Sequence, residues 1–349
     1  MTLTRASVAL PLSRARTNTP LVPVRVHLAG ASGGVRLKLE MHNPTGSVKY
    51  RTAVGLLADM HTRRPLVPGT EVIESTSGNL GLALARLLGE IGCTFTAVVD
   101  PKLPDQSRAL LLAEGARLVT VRERDRSGGY LLTRLRKVAE LREADPELRW
   151  PDQYRNPANP GVHQDVTAPE LLEQTSGGMD TVLAAVSTGG TLAGLGTGLR
   201  RALPAVRTLP VDVVGSAALS DRVAVHSHLL TGIGAGRRTS FLHEGSDGHA
   251  LRVRDVQAFA HCRMFAQDTG LSLGGSTGAL LAAYVHALGA GRGALGRAVG
   301  LSPDGGDNYR STFYDDDWLR HHGVYSDVVA ATVNARGRGL RYELEGITP

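Results

Sequence analysis

Lys49 is the residue of this chain whose type and position most directly indicate chemistry. It ends the turn-rich stretch Asn43 to Lys49, which opens onto an apparent helix. The chain has 39 lysines and arginines, but only four of them are lysines, at positions 38, 49, 102 and 137. A desolvated lysine forms an imine with an aldehyde, whereas arginine does not. Lys49 is therefore either an imine-forming amine or one more solvated helix residue.

A second candidate is the glycine-rich segment Ser187-Thr188-Gly189-Gly190-Thr191, which lies between an apolar run and a helical pattern. Glycines at the start of a helix let backbone N–H groups converge on an anion, and this arrangement binds phosphate dianions. The segment lacks the lysine of a nucleotide P-loop and does not match a dinucleotide fingerprint. It predicts a site for a small phosphorylated cofactor, and a tight strand-to-helix connection is the alternative.

The segment 74–81 offers hydroxyl and amide groups directly after a strand pattern. Thr76, Ser77 and Asn79 all lie where a helix is expected to begin. Such donors at a helix N-terminus suit a carboxylate. The alternative is simple N-capping, because serine and threonine are preferred at that position.

Two more glycine clusters complete the set. The segment 274–279 places Ser276 at another expected helix start, and the segment 232–236 contains three glycines in five residues. The second cluster is too flexible to serve as mere scaffold, which predicts a ligand-contacting loop.

The elements that would hold these segments alternate between strands and helices. Runs of β-branched residues predict strands, and apolar residues three or four apart predict helices. This alternation predicts an α/β fold of two doubly wound units with largely parallel sheets, whose ligands bind beyond the carboxyl ends of the strands. The first set is 71–74, 79–91, 95–99, 105–114, 117–121 and 130–143; after a proline-rich crossover at 150–163, the second set is 182–186, 191–202, 211–215, 256–269, 277–288 and 298–302.

Composition narrows the classes of function. The 349 residues, 42% of them apolar, suffice for two domains with proper cores, and the 42 glycines indicate many tight turns or backbone-lined ligand sites. The net charge of +6 could suggest nucleic acid as a partner. However, the arginines are scattered and aromatic residues make up only 4% of the chain, which argues against a base-stacking platform.

The cysteines and the apolar runs bear on location. Cys93 and Cys262 lie far apart in apolar segments, so they are expected to be core thiols rather than a disulfide or a metal pair. No run approaches the roughly 18 apolar residues of a membrane span, and the N-terminus has no leader pattern. These observations predict a soluble, cytoplasmic protein without a membrane partner.

Taken together, the segments resemble the cysteine synthase family of fold-type II pyridoxal-phosphate enzymes. The resemblance covers most of residues 17–319, and several motifs in one order are more specific than any single one. It implies a smaller mobile N-terminal domain at 43–155 and a larger cofactor-phosphate-binding domain from 1–42 plus 156–319. Residues 320–349 are too short for a domain and are expected to form a C-terminal surface or dimer-contact extension. The matching motifs are, in order, 19–21, 43–51, 75–81, 153–160, 187–191, 232–236, 274–279 and 303–304.

The resemblance also implies a role for each matching position. Lys49 would form the imine with pyridoxal 5'-phosphate, and Asn79 would hydrogen-bond the oxygen of its ring hydroxyl. Ser276 would face the ring nitrogen, and a hydroxyl there makes the ring a mild electron sink that favours β-elimination over transamination. The remaining family contacts fall on the phosphate loop, Ser187, Thr188, Gly189, Gly190 and Thr191, and on the substrate-binding positions Thr76, Ser77, Gln153 and Gly232.

The implied reaction is a ping-pong β-replacement. An O-activated serine displaces Lys49, which then removes the α-proton as a general base while the leaving group departs. A second nucleophile adds at the β-carbon, and Lys49 releases the new amino acid. Because the family is usually dimeric, the resemblance also implies a homodimer.

Departures from the sulfide-using members concern the pocket of the second substrate. Leu80 stands where those members have threonine, Tyr50 where they have aspartate, and Ser187 where they have glycine. Several longer stretches are more similar to a branch of siderophore and peptide-antibiotic clusters, the synthases of the 2,3-diaminopropionate pathway, which join O-phospho-L-serine and L-glutamate to give N-(2-amino-2-carboxyethyl)-L-glutamate. Those stretches are 74–85, 98–102, 128–135 and 274–279.

Both of those substrates are strongly anionic, so a cationic lining is expected. Arg134 lies in one shared stretch, and Arg237 and Arg238 follow the glycine loop. These three arginines are candidates for binding substrate anions. In a chain so rich in arginine, solvated surface positions are the alternative.

Two other functions stay open at this point. One is a cysteine synthase that uses O-acetylserine or O-phosphoserine with sulfide. The other is a non-catalytic partner that keeps the fold and binds a biosynthetic enzyme. The joint retention of Lys49, Asn79 and Ser276 argues against the second.

Overall fold

The computed structural model describes residues 10–220, 228–242, 249–290 and 295–346. Within these ranges the chain forms two sheets flanked by helices, and no described helix is long and apolar enough to cross a membrane. In chain order the elements are β1 (Leu21–Leu28), β2 (Ala31–Leu39), α1 (Lys49–Arg63), β3 (Glu71–Ser75), α2 (Asn79–Glu90), β4 (Thr94–Val99), α3 (Asp105–Ala113), β5 (Arg117–Thr120), α4 (Leu131–Ala144), α5 (Ala158–Val162), α6 (Ala168–Thr175), β6 (Thr181–Ala185), α7 (Gly190–Ala202), β7 (Arg207–Val213), β8 (Leu251–Val253), α8 (Asp255–Thr269), α9 (Gly275–Gly289), β9 (Ala298–Ser302), α10 (Asp316–His321), α11 (Tyr325–Gly337) and β10 (Arg341–Leu344).

The smaller sheet consists of three parallel strands in the order β3-β4-β5. Parallel strands require a crossover, and α2 and α3 supply the two crossovers of this sheet. Leu84, Leu87 and Leu88 of α2 pack with Leu56 and Leu57 of α1 in one core. This core holds the starts of α1 and α2 in a fixed relation to each other.

The larger sheet has the strand order β10-β1-β2-β9-β6-β7-β8. The five strands from β2 to β8 in this order are mutually parallel, whereas β1 runs antiparallel to both of its neighbours. Every residue of β9 is buried, as expected for a strand covered on both faces. Phe259 and Phe265 of α8 and Leu280 and Leu281 of α9 form the core on one face.

The fold class predicted from the sequence is confirmed, with local differences. The hairpin of β1 and β2 was not predicted, because Gly33 and Gly34 interrupt the alternating pattern of β2. Strand β7 occupies 207–213 rather than 211–215, and part of the proline-rich crossover is helical from Ala158 onward.

Both ends of the described chain pack against the rest of the structure. β10 pairs with β1 from Val24 and Leu344 to His27 and Arg341, and α11 packs against α8. Residues 325–344, which belong to the expected surface or dimer-contact extension, complete the larger sheet and its helical layer. At the other end, residues 10–15 contribute to the core that contains α1 and α2.

A fully buried ion network fixes the start of α1. Arg51 pairs with Glu40 and Glu170, and Lys38 also pairs with Glu170. All four side chains are at most 1% exposed. Buried charges persist only when they are paired and hydrogen-bonded, so the network anchors α1 to β2 and α6 two residues beyond Lys49.

Candidate active site

One cavity gathers most of the residues that the sequence indicated. It lies at the carboxyl ends of strands from both sheets, where open parallel sheets bind ligands. Gly190 does not line the cavity but is the first residue of α7, directly behind it. The predicted site residues in the lining are Lys49, Thr76, Ser77, Asn79, Gln153, Ser187, Thr188, Gly189, Thr191, Gly232 and Ser276.

The loop between β6 and α7 has the geometry of an anion cradle. Gly189 has a φ of 82°, a left-handed conformation that favours glycine, and α7 begins at the next residue. The free N–H groups of a helix N-terminus attract anions. Thr188 Oγ1 accepts a hydrogen bond of 3.2 Å from Asn159, whose Nδ2 also donates to the Gln153 carbonyl at 2.7 Å. Asn159 therefore ties the loop to the segment that carries Gln153.

We expect Gly190→Ala to disrupt this cradle. A Cβ at this position would overlap the side-chain amide of Asn159, and overpacking of this kind costs about 1–3 kcal/mol. The free energy of unfolding should fall by that amount, and less cofactor should remain bound after dialysis. Gly161→Ala in α5 is the control, because a Cβ there has no heavy atom within 4 Å. Equal stability and cofactor retention in both variants would contradict the prediction.

Lys49 is the first residue of α1 and lines this cavity. Burial lowers its pKa to about 8, and the negative charge of Asp304 opposes the shift. A lower pKa raises the fraction of neutral amine near pH 7, and the neutral amine is the form that attacks an aldehyde. Lys38 is paired with Glu170 in the buried network, so its ammonium is already engaged.

The loop after β3 supplies the helix-capping interaction that its sequence suggested. Thr76 Oγ1 accepts from the N–H groups of Gly78 and Gly81 at 3.1 and 3.0 Å, so it caps α2. These bonds do not use the hydroxyl hydrogen, which Thr76 can donate to a ligand. Gln153 lies beside this loop because its side chain donates to the Ser75 carbonyl at 2.8 Å.

Asp304 lies in the matching motif 303–304, but the sequence indicated no role for it. It is 3% exposed, lines the cavity and accepts a hydrogen bond of 2.8 Å from Asn79 Nδ2. Burial raises its pKa, while bonds from Tyr309 and Asn79 and the charge of Lys49 lower it. Its position in the sequence could have indicated its place in the cavity, because Asp304 lies two residues after the end of strand β9, and ligands bind in the loops that follow parallel strands.

A second chamber opens beside the first and contains the cations Arg134 and Lys102. Arg134 is 6% exposed, and its Nε lies 3.3 Å from Asp100 Oδ2. Within the described residues, neither Nε nor Nη1 of Arg134 makes a hydrogen bond. Leaving buried guanidinium N–H groups unpaired is costly, so the chamber favours an anionic ligand. Both cavities share Ser77, Tyr154, Ser187, Thr231 and Gly232 in their linings.

The other two arginines do not reach the cavities. Arg237 lies over the ring of Tyr154, with its guanidinium carbon 5.3 Å from the ring centroid. Neither Arg237 nor Arg238 lines the first cavity or the second chamber. Of the three arginine candidates, only Arg134 lines either of these two cavities.

The three departures from the sulfide-using pattern separate into two groups. Tyr50 is 4% exposed and packs in the core of α1 and α2, which explains it as a structural residue. Leu80 and Ser187 line the first cavity, so they face whatever binds there.

The side chains present fit a phosphorylated aldehyde cofactor. The glycine cradle suits a phosphate, the burial-shifted Lys49 suits the aldehyde, and Asn79 and Ser276 offer polar contacts to a ring. Within the described ranges, no cluster of three or more histidine, cysteine or acidic side chains could hold a metal ion.

The chain is similar to known proteins over most of its length. The family model described as pyridoxal-phosphate dependent enzyme matches residues 12–301. An N-(2-amino-2-carboxyethyl)-L-glutamate synthase of Cupriavidus metallidurans is 38% identical over 305 residues, covering 86% of this chain and 89% of the relative. A synthase of the same name from Ralstonia nicotianae is 36% identical over 301 residues, covering 86% and 88%. The crystal structure of an O-ureido-L-serine synthase superposes with a TM-score of 0.74 at 30% identity, covering 88% of this chain and 98% of that one.

Proposed function

Because the chain belongs to the family of pyridoxal-phosphate-dependent enzymes, we propose that it joins O-phospho-L-serine and L-glutamate to give N-(2-amino-2-carboxyethyl)-L-glutamate and phosphate. Its cofactor is pyridoxal 5'-phosphate, and it is a β-replacement synthase of the fold-type II class. The product would serve as a precursor of L-2,3-diaminopropionate for siderophore or peptide-antibiotic synthesis. By family analogy we also propose a homodimer, for which the mass in solution is the test.

The second chamber is the observation that supports an anionic second substrate. Arg134 lies in its wall with two buried nitrogen atoms that lack hydrogen bonds, and Lys102 adds a second positive charge. Asp100, which pairs with Arg134, contributes one negative charge to the same wall, so the two cations outnumber it. Sulfide needs no such chamber, whereas glutamate carries two carboxylates that cations bind strongly. The names of the two relatives from Cupriavidus and Ralstonia support the same choice.

The cofactor-holding residues are proposed from the geometry of the first cavity. Lys49 would carry the cofactor, Asn79 and Ser276 would contact its ring, and the loop from Ser187 to Thr191 would bind its phosphate. When bound, the cofactor supplies an electron sink for the pair released at the substrate's α-carbon.

Lys49 would move the proton during the reaction. Its pKa near 8 lets it accept the α-proton near neutral pH and later return it, which is the requirement for one group acting as base and then as acid. Thr76, Ser77 and Gln153 would hold the substrate carboxylate, because they lie together at the N-terminus of α2.

The proposed exchange balances at the β-carbon. The C–O bond to phosphate breaks, and a C–N bond from the glutamate amine forms at the same carbon. The amine loses one proton, which leaves with the phosphate, and the α-proton taken by Lys49 is returned. No oxidant or reductant is needed.

The direct test offers two donors and two acceptors to the purified holoenzyme. O-phosphoserine or O-acetylserine is combined with glutamate or sulfide, and the products are identified by mass spectrometry. The proposal requires N-(2-amino-2-carboxyethyl)-L-glutamate from O-phosphoserine and glutamate. Cysteine formation with sulfide but no product with glutamate would establish the cysteine synthase alternative instead.

A further inference from the structure

Asp304 joins two segments of the active site through its backbone. It forms an antiparallel bridge with Ser47, in the turn that leads to Lys49. Its carbonyl also accepts a hydrogen bond of 3.1 Å from the N–H of Gly274, which precedes α9. The position of its side chain is therefore set by both segments.

The carboxylate of Asp304 contacts Asn79 directly. Its Oδ2 accepts from Asn79 Nδ2 at 2.8 Å and from the Tyr309 hydroxyl at 2.6 Å. Its Oδ1 is buried and has no hydrogen-bond partner among the described residues. Because a carboxylate can only accept, it selects the Nδ2 end of the Asn79 amide and so fixes which way that amide is turned.

The backbone beside the carboxylate is adapted to it. A Cβ at Gly274 would overlap Oδ1 of Asp304, so only glycine permits this close approach. The first glycine of the 274–279 cluster is thereby explained by Asp304 rather than by a ligand.

The charge of Asp304 acts on Lys49. It raises the pKa of Lys49 against the effect of burial. The pKa of Asp304 itself is raised by burial, and the bonds from Tyr309 and Asn79 and the charge of Lys49 oppose this shift. Arg51 is neutralised by its two buried carboxylate partners. The imidazole of His163 stays neutral, because burial and the charge of Lys49 hold its pKa well below the usual range. Lys49 and Asp304 line the same cavity, and Asp304 is the carboxylate whose charge acts on Lys49.

We propose that Asp304 is a positioning residue of this site, which orients the Asn79 amide and supplies the negative charge opposite Lys49. The inference rests on the roles proposed for Lys49 and Asn79 but not on the identity of either substrate. After Lys49 takes up the α-proton, this charge stabilises the ammonium form.

The test measures the pKa of Lys49 in full-length protein freed of cofactor. Acetic anhydride is added over a series of pH values, and the acetylated fraction of Lys49 is measured by peptide mass spectrometry. Asp304→Asn should lower the pKa by about one unit, as expected for loss of a nearby opposite charge. At pH 7 the amine then becomes more reactive. Tyr309→Phe is the control, because it removes a hydrogen bond to the same oxygen but keeps the charge.

The outcomes separate a positioning role from a structural one. Asp304→Ser provides a second neutral variant if Asp304→Asn does not fold, and folding of each variant is checked by near-ultraviolet circular dichroism. A Lys49 pKa equal to that of the wild type in a folded neutral variant overturns the proposal. A lowered pKa of Lys49 supports the proposal even if the enzyme does not accept glutamate. The acetylation experiment and the analysis of reaction products by mass spectrometry therefore test separate claims.

Discussion

Lys49→Ala should lower the rate of β-replacement by at least about a thousandfold, because in the proposed reaction this one residue both carries the cofactor and transfers the α-proton. The structure places this amine in the first cavity with its pKa lowered by burial to about 8. The purified variant should also lose the visible absorbance of the lysine-bound cofactor. Product formation from O-phosphoserine and glutamate, followed by mass spectrometry, gives the rate.

Lys137→Ala is the matched control for this experiment. Lys137 is 39% exposed, lies on α4 and pairs with Glu140, so its loss should leave turnover and absorbance unchanged. Because the chain has only four lysines, nonspecific linkage elsewhere is simple to detect. Turnover by Lys49→Ala at the rate of the control would refute the assignment of this residue.

Arg134→Gln should lower kcat/KM for glutamate by about a hundredfold, since truncating one member of a buried, charge-assisted contact costs roughly 2–5 kcal/mol. The reaction with O-phosphoserine alone should be affected far less, because Arg134 lines the second chamber and not the first cavity. The first half-reaction is measured as the absorbance change on adding O-phosphoserine without glutamate. The second is measured from the dependence of product formation on glutamate concentration.

Two controls accompany the Arg134 variant. Arg136→Gln removes an exposed arginine from the same helix and should leave both half-reactions unchanged. Arg134→Lys keeps a positive charge beside Asp100, so it separates loss of the substrate contact from loss of the ion pair, which is 7% and 8% exposed. If the folded Arg134→Gln variant has the same kcat/KM for glutamate as the wild type, the chamber is not the glutamate site.

Local patterns in the sequence predicted the parts of the site that come from one segment each. The phosphate loop is recognisable because a strand, two glycines and a helix start follow one another within a few residues. The same holds for Thr76 and Asn79 at the start of α2. In both places the hydrogen bonds that shape the backbone lie within a short stretch of chain, so residue types suffice to indicate them.

Local sequence patterns did not predict which of the candidate arginines lines a cavity. Arg134, Arg237 and Arg238 were equivalent candidates in the sequence, yet only Arg134 lines the first cavity or the second chamber. The difference arises because α4 packs its Arg134 side inward toward Asp100, whereas Arg237 rests on the ring of Tyr154. The packing of elements that lie far apart in the sequence decided which arginine lines a cavity.

The sequence by itself determined the α/β alternation, the candidate lysine and the order of the ligand-contacting loops, because each depends on neighbouring residues. The tertiary structure alone decided that Asp304 meets Asn79, 225 residues away, and that β10 completes the larger sheet beside β1. Such contacts require closure of long loops and are selected by the packing of the whole chain, so no local pattern encodes them.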